Sequence, residues 1–327
     1  MTVSRLARVL RRRAAAGIPV LCAVAVLAAC QNEPAPPPEP EASFDEAAWR
    51  EEVEAWHAER IERLRSEDGW LSLVGLHWLP EGDSRLGSEP MADVVLPPSA
   101  PATVGTLTRQ GQTVSLDLAP GVEATAGGEP LPGGPLASDA GDAGPTVVQI
   151  DGLRLQVLDR DGRMALRVKD AASPTRQEFT GIERYPVDPA WRVVGRLEPY
   201  ETPKQIEVDD VTGGKQQGTV PGALVVELGG ETHRLEPLGE GDALFLIFAD
   251  ETNGDGTYGA GRYLYTELPG PDGRVVVDFN RAYNPPCAFT PYATCPLPPP
   301  QNRLPVAVTA GEKDYHGPGA HPAGTRE

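Results

Sequence analysis

Residues 275–304 read VVVDFNRAYNPPCAFTPYATCPLPPPQNRL, and they bring together more chemically distinct side chains than any other stretch of the chain. A run of three valines leads into an acid, an amide and an arginine, and a tyrosine and a second amide follow. Two cysteines, Cys287 and Cys295, lie between two clusters of prolines. Proline fixes its own φ and restricts the residue before it, so the chain enters and leaves this loop with little freedom. The stretch therefore predicts a short strand that ends in a stiff polar loop.

A cluster of polar side chains is predicted around this strand. Alternation along residues 274–280 places Asp278 and Asn280 on one face and three apolar residues on the other. A hairpin from the preceding strand would bring Arg262 near Asp278, and such a paired carboxylate is structural as often as functional. The candidate site comprises Asp250, Arg262, Asp278, Asn280, Tyr283, Asn284 and Glu312.

The composition favours short strands joined by many turns. The 327 residues include 36 glycines and 35 prolines, and 40% of the chain is hydrophobic, which is ordinary for a globular protein. Glycine and proline punctuate turns, so their abundance indicates a β-rich architecture. The net charge of −18 repels phosphate backbones and excludes nucleic acid as a partner.

The N-terminus predicts export. Residues 1–29 have the plan of a signal peptide, with a basic start and an apolar run. Gly17 and Pro19 interrupt that run, which is shorter than the ~20 residues of a membrane-spanning helix. Residues 27–30, LAAC, resemble the bacterial lipobox, and the resemblance implies cleavage before a lipidated Cys30.

The anchor is followed by a spacer and a helix. Residues 30–43 form a proline-rich acidic tether of roughly 3 Å per residue, which would hold the domain off the bilayer. Gln31 after the cysteine is typical of lipoproteins sorted to the outer membrane of diderm bacteria, so we expect the protein to lie at the periplasmic face of that membrane. Residues 44–69 predict an amphipathic helix, with Ser43 and Glu46 as a capping box. We expect this helix to pack on the domain.

Short strands fill the rest of the chain, in a first half (70–170) and a second half (171–313), and residues 314–327 are expected to be a flexible tail. Turn signals at such intervals are typical of β-sandwiches and barrels. The predicted strands are 93–96, 105–109, 113–118, 147–150, 154–159, 164–168, 193–197, 205–211, 223–228, 232–235, 243–249, 262–266 and 274–280. The stretch 70–79 is a further buried strand with His77 as a core residue, whereas 119–144 is expected to be an irregular loop.

In an exported protein, the spacing of Cys287 and Cys295 favours a disulfide, worth roughly 2–3 kcal/mol. A metal site or a cysteine nucleophile are the alternatives. The five histidines stand singly, without an HxH or HExxH pair, so we expect no metal. Residues 251–256 lack the acidic twelfth position of a calcium loop, because Arg262 stands there, and they predict a tight turn.

Two resemblances to known families add to this interpretation. Residues 82–97 resemble the opening of a forkhead-associated β-sandwich, but Ser88 replaces its arginine and the later phosphate clamp is missing, so only a fold is implied. The phrases GWLSLVGLHWL, RVKD, FADETNGDGTYGAGRYLY, VVVDFNRAYNPPCAFTPYATCPLPP and NRL with AGEK together resemble the family called domain of unknown function 1684. This second resemblance covers roughly residues 49–313, with 278–298 as a core motif, and implies no activity, substrate or cofactor.

Two functions remain open. A lipid-anchored envelope protein with a non-catalytic binding or scaffold domain fits the absence of a P-loop, a GxSxG motif and a dinucleotide fingerprint, and we expect no cofactor. Its partner would be an envelope glycan or protein, besides the bilayer. The alternative is a glycan or peptide hydrolase, with Asp278, Asp250 or Glu312 as acid and base and Arg262 or Asn280 orienting the substrate. A second carboxylate ~5–10 Å away in an open cleft favours the hydrolase, and a closed salt bridge favours the scaffold.

Overall fold

The computed structural model describes residues 44–323. The predicted signal peptide, the lipidated Cys30 and the tether lie outside these described residues. Between residues 44 and 323, no helix is both long enough and apolar enough to cross a membrane. The architecture is mainly β, with one long helix before the strands, which confirms the predicted fold class.

The long helix α1 spans Glu46–Arg65 and is shorter than the predicted 44–69. Its N-cap is Asp45 and not Ser43, because the Asp45 carboxylate accepts hydrogen bonds from the backbone N–H groups of the first turn. The buried residues on α1 are Trp49, Val53, Arg60 and Leu64. Their spacing marks one face of the helix, which packs against the domain.

The first half consists of two sheets. Its strands are β1 (Leu73–Trp78), β2 (Gly82–Gly87), β3 (Val94–Val95), β4 (Gly105–Gln110), β5 (Thr113–Leu118), β6 (Thr125–Ala126), β7 (Glu129–Pro130), β8 (Gly134–Leu136), β9 (Val148–Ile150), β10 (Leu153–Arg160) and β11 (Arg163–Asp170). One sheet has the order β1-β11-β10-β9-β6-β7, and the other has the order β3-β2-β4-β5-β8. Apolar residues from both sheets form one core cluster, as the predicted sandwich requires.

Two predictions for this half were wrong in detail. Strand β2 was missed, because its sequence GDSRLG has few apolar residues to mark it. The stretch 119–144, expected to be irregular, contains β6, β7 and β8, each only two or three residues long. Such short strands depend on their neighbours and carry almost no periodicity of their own.

The second half also consists of two sheets. After a short helix α2 (Pro174–Gln177), its strands are β12 (Arg192–Asp209), β13 (Lys215–Leu228), β14 (Glu231–Leu235), β15 (Leu238–Glu240), β16 (Ala243–Phe248), β17 (Arg262–Glu267) and β18 (Arg274–Asp278). The orders are β14-β13-β12-β18 and β15-β16-β17. The predicted strands 193–197 and 205–211 are the two ends of one strand, β12, whose register shifts between Pro199 and Lys204. Consecutive strands β17 and β18 belong to different sheets.

The C-terminal residues add to the core. Tyr315 is buried, and its ring contacts Phe289 at a centroid distance of 4.7 Å. The backbone N–H of Asp314 donates to the carbonyl of Gly256 at 3.0 Å. The packed part of the chain therefore extends beyond residue 313, where the tail was expected to begin.

Candidate functional site

Residues 308–312 lie in the interior of the second half, where their backbone contributes to one polar centre and the Glu312 side chain to another. Val308, Ala310 and Glu312 have no exposed surface. Gly311 adopts φ of 75°, and a Cβ atom there would collide with the carbonyl of Ala282. This close approach requires glycine.

The first polar centre is a buried ion pair. Arg262 Nη2 donates to Asp250 Oδ2 at 2.7 Å, and neither side chain is exposed to solvent. The same nitrogen donates to the carbonyl of Val308 at 2.8 Å, and Nη1 donates to the carbonyl of Ala310. The other carboxylate oxygen accepts from the N–H and hydroxyl of Thr252, at 2.9 and 2.6 Å. Both oxygens of Asp250 are thus occupied by internal donors.

The second centre joins α1 to the loop that follows β18. Glu312 Oε1 accepts from Arg60 Nε at 3.1 Å, and Oε2 accepts from the backbone N–H of Asn284 at 2.7 Å. Arg60 Nη2 also donates to the carbonyl of Asn284 at 2.9 Å. The Arg60 guanidinium stacks over the ring of Tyr283, 4.7 Å from its centroid. Burial raises the pKa of Tyr283, so its hydroxyl stays protonated at neutral pH.

The third centre lies at the end of β18. Asp278 Oδ2 accepts from the indole nitrogen of Trp49 at 2.8 Å. Its Oδ1 accepts from the side-chain amide and the backbone N–H of Asn280, at 2.8 and 3.1 Å. Asn280 in turn exchanges two hydrogen bonds with the backbone of Asp188, both at 2.9 Å. Arg281 Nε approaches the carboxylate only to 3.8 Å.

The seven predicted polar residues therefore divide among three separate centres. The expected pair of Arg262 with Asp278 is not formed, because β17 and β18 lie in different sheets and form no hairpin ladder. Arg262 pairs instead with Asp250, on the other side of the turn at 251–256. That turn is closed by hydrogen bonds from the N–H groups of Asp255 and Thr257 to the carbonyl of Thr252.

Two residues of α1 complete these centres and were missed from the sequence. Trp49 and Arg60 were assigned only to a packing helix, yet each binds a candidate carboxylate. A signal for Arg60 existed. It stands seven residues after Val53 and four before Leu64, which places a charged side chain on the apolar face of the helix.

The predicted disulfide is not formed, because Cys287 and Cys295 are both buried free thiols. The backbone N–H of Cys287 donates a hydrogen bond to Cys295 Sγ at 3.0 Å. A hydrogen bond from Cys295 lowers the pKa of Cys287, whereas burial raises the pKa of Cys295. Tyrosine hydroxyls hold the loop, since Tyr258 donates to the carbonyl of Cys287 at 3.2 Å and Tyr263 donates to that of Pro296 at 2.8 Å.

Two surface cavities lie beside the three-stranded sheet. One, of about 300 Å³, is bounded by α1, the start of β16, the end of β17 and the loop after β18, and its lining includes Trp56, Asp242, Tyr265, Glu267, Arg281 and Tyr283. The other, of about 420 Å³, has a lining that includes Gln205, Gln216, Gln217, Thr219, Glu240 and Phe245. None of the three candidate carboxylates lines either cavity. Within the described part of the chain, no cluster of three or more His, Cys, Asp or Glu residues could hold a metal ion.

The fold and the three closed centres define a mainly β protein whose helix is fastened to the core by polar side chains. The family model described as protein of unknown function (DUF1684) matches residues 177–313, which contain all seven candidate residues. The chain belongs to this family.

A solved structure is also similar in sequence. It is the solution NMR structure of the uncharacterized protein from gene locus rrnAC0354 of Haloarcula marismortui. The two sequences are 34% identical, over 42% of this chain and 78% of that chain, with a TM-score of 0.37. No curated protein matches the chain.

Proposed function

We propose that this protein is an envelope-anchored lipoprotein whose folded domain binds a partner and carries out no catalysis. One observation carries the proposal: each of the three candidate carboxylates is buried and has its oxygens occupied by internal donors. A general acid or base must reach a substrate proton, directly or through one water molecule. The side chains of Asp250 and Glu312 have no exposed surface, and that of Asp278 is 10% exposed with both oxygens bound by internal donors.

The hydrolase alternative meets a second difficulty. Two carboxyl groups must flank the scissile bond in one cleft, but the candidates lie in three centres with different partners. Two other carboxylates, Asp242 and Glu267, do line the smaller cavity. Both are exposed, so they lack the buried environment that separates the pKa values of the acid and the base in such enzymes.

The anchoring part of the proposal rests on the sequence. The signal-like residues 1–29, the lipobox ending at Cys30 and the tether 30–43 would place the domain at the periplasmic face of the outer membrane. Its partners would be the bilayer, through the lipid, and an envelope glycan or protein. The charge of −18 disfavours nucleic acid.

The full chain in detergent micelles tests the absence of catalysis. It is incubated with soluble peptidoglycan fragments and with a peptide mixture, and the products are read by mass spectrometry. We expect both substrates to remain intact. If a substrate is cleaved, and the cleavage is lost in Asp278→Asn or in the Asp242→Asn/Glu267→Gln double variant, the protein is a hydrolase and the proposed absence of catalysis is wrong.

A further inference from the structure

A stacked pair of aromatic rings separates the two cavities described above. Tyr265 lines the smaller cavity and Phe245 lines the larger one, and their rings stack at a centroid distance of 4.7 Å and an angle of 22°. The hydroxyl of Tyr265 donates to Glu240 at 2.7 Å, and Glu240 lines the larger cavity. A ligand longer than one cavity would therefore cross Tyr265, which is 45% exposed.

The smaller cavity is lined by aromatic rings. Tyr265 and Tyr283 lie nearly parallel, at 12° and a centroid distance of 6.4 Å. Trp56 on α1 approaches Tyr283 at 6.3 Å. Rings that are partly exposed present flat apolar surface at little cost in conformational entropy, and they suit ligands with one apolar face. A pyranose ring has such a face, formed by its C–H groups, and a rim of hydroxyls.

The polar groups around both cavities suit hydroxyls. The larger cavity has three glutamines and a threonine, which supply donors and acceptors side by side, as a hydroxyl requires. The smaller cavity has Asp242, Glu267 and Arg281, whose planar groups can bind two neighbouring hydroxyls at once. Arg281 is only loosely held, at 3.5 Å from Glu52 and 3.8 Å from Asp278.

The charges favour a neutral ligand. In the smaller cavity Arg281 offsets one of the two acids, Asp242 and Glu267, and the guanidinium of Arg60 already covers one face of Tyr283, which leaves a cation less ring surface to stack on. The net charge of −18 disfavours an anion. Two cavities in tandem favour a chain of sugar units over a single one.

We propose that the two cavities form one elongated site that binds a neutral, linear oligosaccharide, with Tyr265 as the ring crossed by the ligand between them. The proposal rests on the binding function proposed above and names its ligand class. The residues that carry it belong to the stretch matched by the family model, except Trp56.

Isothermal titration of the full chain in detergent micelles tests the site, with chitohexaose and maltohexaose as neutral probes and the corresponding disaccharides for comparison. At least one hexasaccharide should bind about tenfold more tightly than its disaccharide, because only the longer ligand occupies both cavities. Tyr265→Ala should weaken hexasaccharide binding about tenfold, and Gln217→Ala should weaken it as well.

Tyr200→Ala is the matched control, since the Tyr200 hydroxyl also donates to a glutamate, Glu236 at 2.6 Å, but lines neither cavity. This variant should bind like the unchanged protein. Tyr265→Leu keeps apolar volume without a flat ring and provides the same test if the alanine variant does not fold. Binding that is insensitive to both Tyr265 substitutions overturns the site.

The outcomes also separate this inference from the proposed function. If neither hexasaccharide binds, or if choline or an extended peptide binds in their place, the saccharide site is wrong while a non-catalytic binding domain can still stand. If a hexasaccharide binds and is then cleaved, the site stands and the proposed absence of catalysis is wrong.

Discussion

Arg262 and Asp250 form an ion pair at 2.7 Å in which neither side chain has exposed surface. Removing two charges from water costs several kcal/mol per ion, and this cost is recovered only when the remaining donors and acceptors are bonded. Here the carbonyls of Val308 and Ala310 accept two further guanidinium hydrogens, whereas the buried Nε has no hydrogen-bond partner among residues 44–323. The pair therefore fastens the turn after β16 to the C-terminal segment, and each member depends on the other.

Breaking this pair should be costly. Asp250→Asn leaves a buried guanidinium without its counter-ion, and we expect the free energy of unfolding to fall by about 3–5 kcal/mol. Urea denaturation followed by circular dichroism measures the change. Glu207→Gln is the control, because Glu207 pairs with Lys215 at 2.6 Å on the surface, where both side chains are about half exposed. The control should change stability little. Equal effects at the two sites would contradict the closed centre.

Stability should fall as the pH drops below about 6.5, in part through His57. Burial, together with the nearby Arg184 guanidinium, lowers the pKa of His57, and burial alone lowers that of His77. As the pH falls, the unfolded chain takes up these protons first, so the folded state loses stability until its own lower pKa values are reached. Above the pKa that these histidines have in the unfolded chain, the folded state loses no stability through them.

Thermal unfolding at pH 7.5 and pH 5.5 checks this prediction. The decrease in Tm between the two pH values should be smaller in His57→Gln than in the unchanged chain. His316→Gln removes a histidine whose side chain is 82% exposed and should leave the decrease unaltered. An identical decrease in both variants would show that His57 is not the titrating group.

Arg167 is a buried cation whose guanidinium carbon lies over the ring of Trp70, 5.9 Å from its centroid. It is 7% exposed, its Nε has no hydrogen-bond partner among residues 44–323, and no acidic side chain of that range pairs with it. Burial lowers its pKa to about 10, which reflects the cost of keeping it charged. We expect Arg167→Met to raise the free energy of unfolding by about 1–3 kcal/mol, measured in urea. Arg163→Met changes an exposed neighbour and should bring no gain. Destabilisation by Arg167→Met would mean that the contact with Trp70 outweighs the cost of burying the charge.

Much of the fold follows from local pattern, and most of the site does not. Strand β5 alternates cleanly between buried and more exposed residues, and it was predicted with its correct bounds. The assignment of β17 and β18 to different sheets depends on packing that neither strand encodes alone, so the partner of Arg262 could not be derived from alternation. Arg60 was visible as a charge on an apolar helix face, but its partner Glu312 is more than two hundred residues away. Such contacts are set by the assembled core.

The lipid anchor is tested at Cys30, outside the described residues. The lipobox interpretation requires its sulfur to be lipidated before cleavage, so Cys30→Ser should abolish both lipid attachment and processing of the signal peptide. Labelling with radioactive palmitate and the apparent mass on a gel measure the two steps. Cys22→Ser is the matched control, because Cys22 lies within the predicted signal peptide and should leave labelling intact. Palmitate in the Cys30→Ser chain, or its loss from the Cys22→Ser chain, would show that the anchor is not at Cys30.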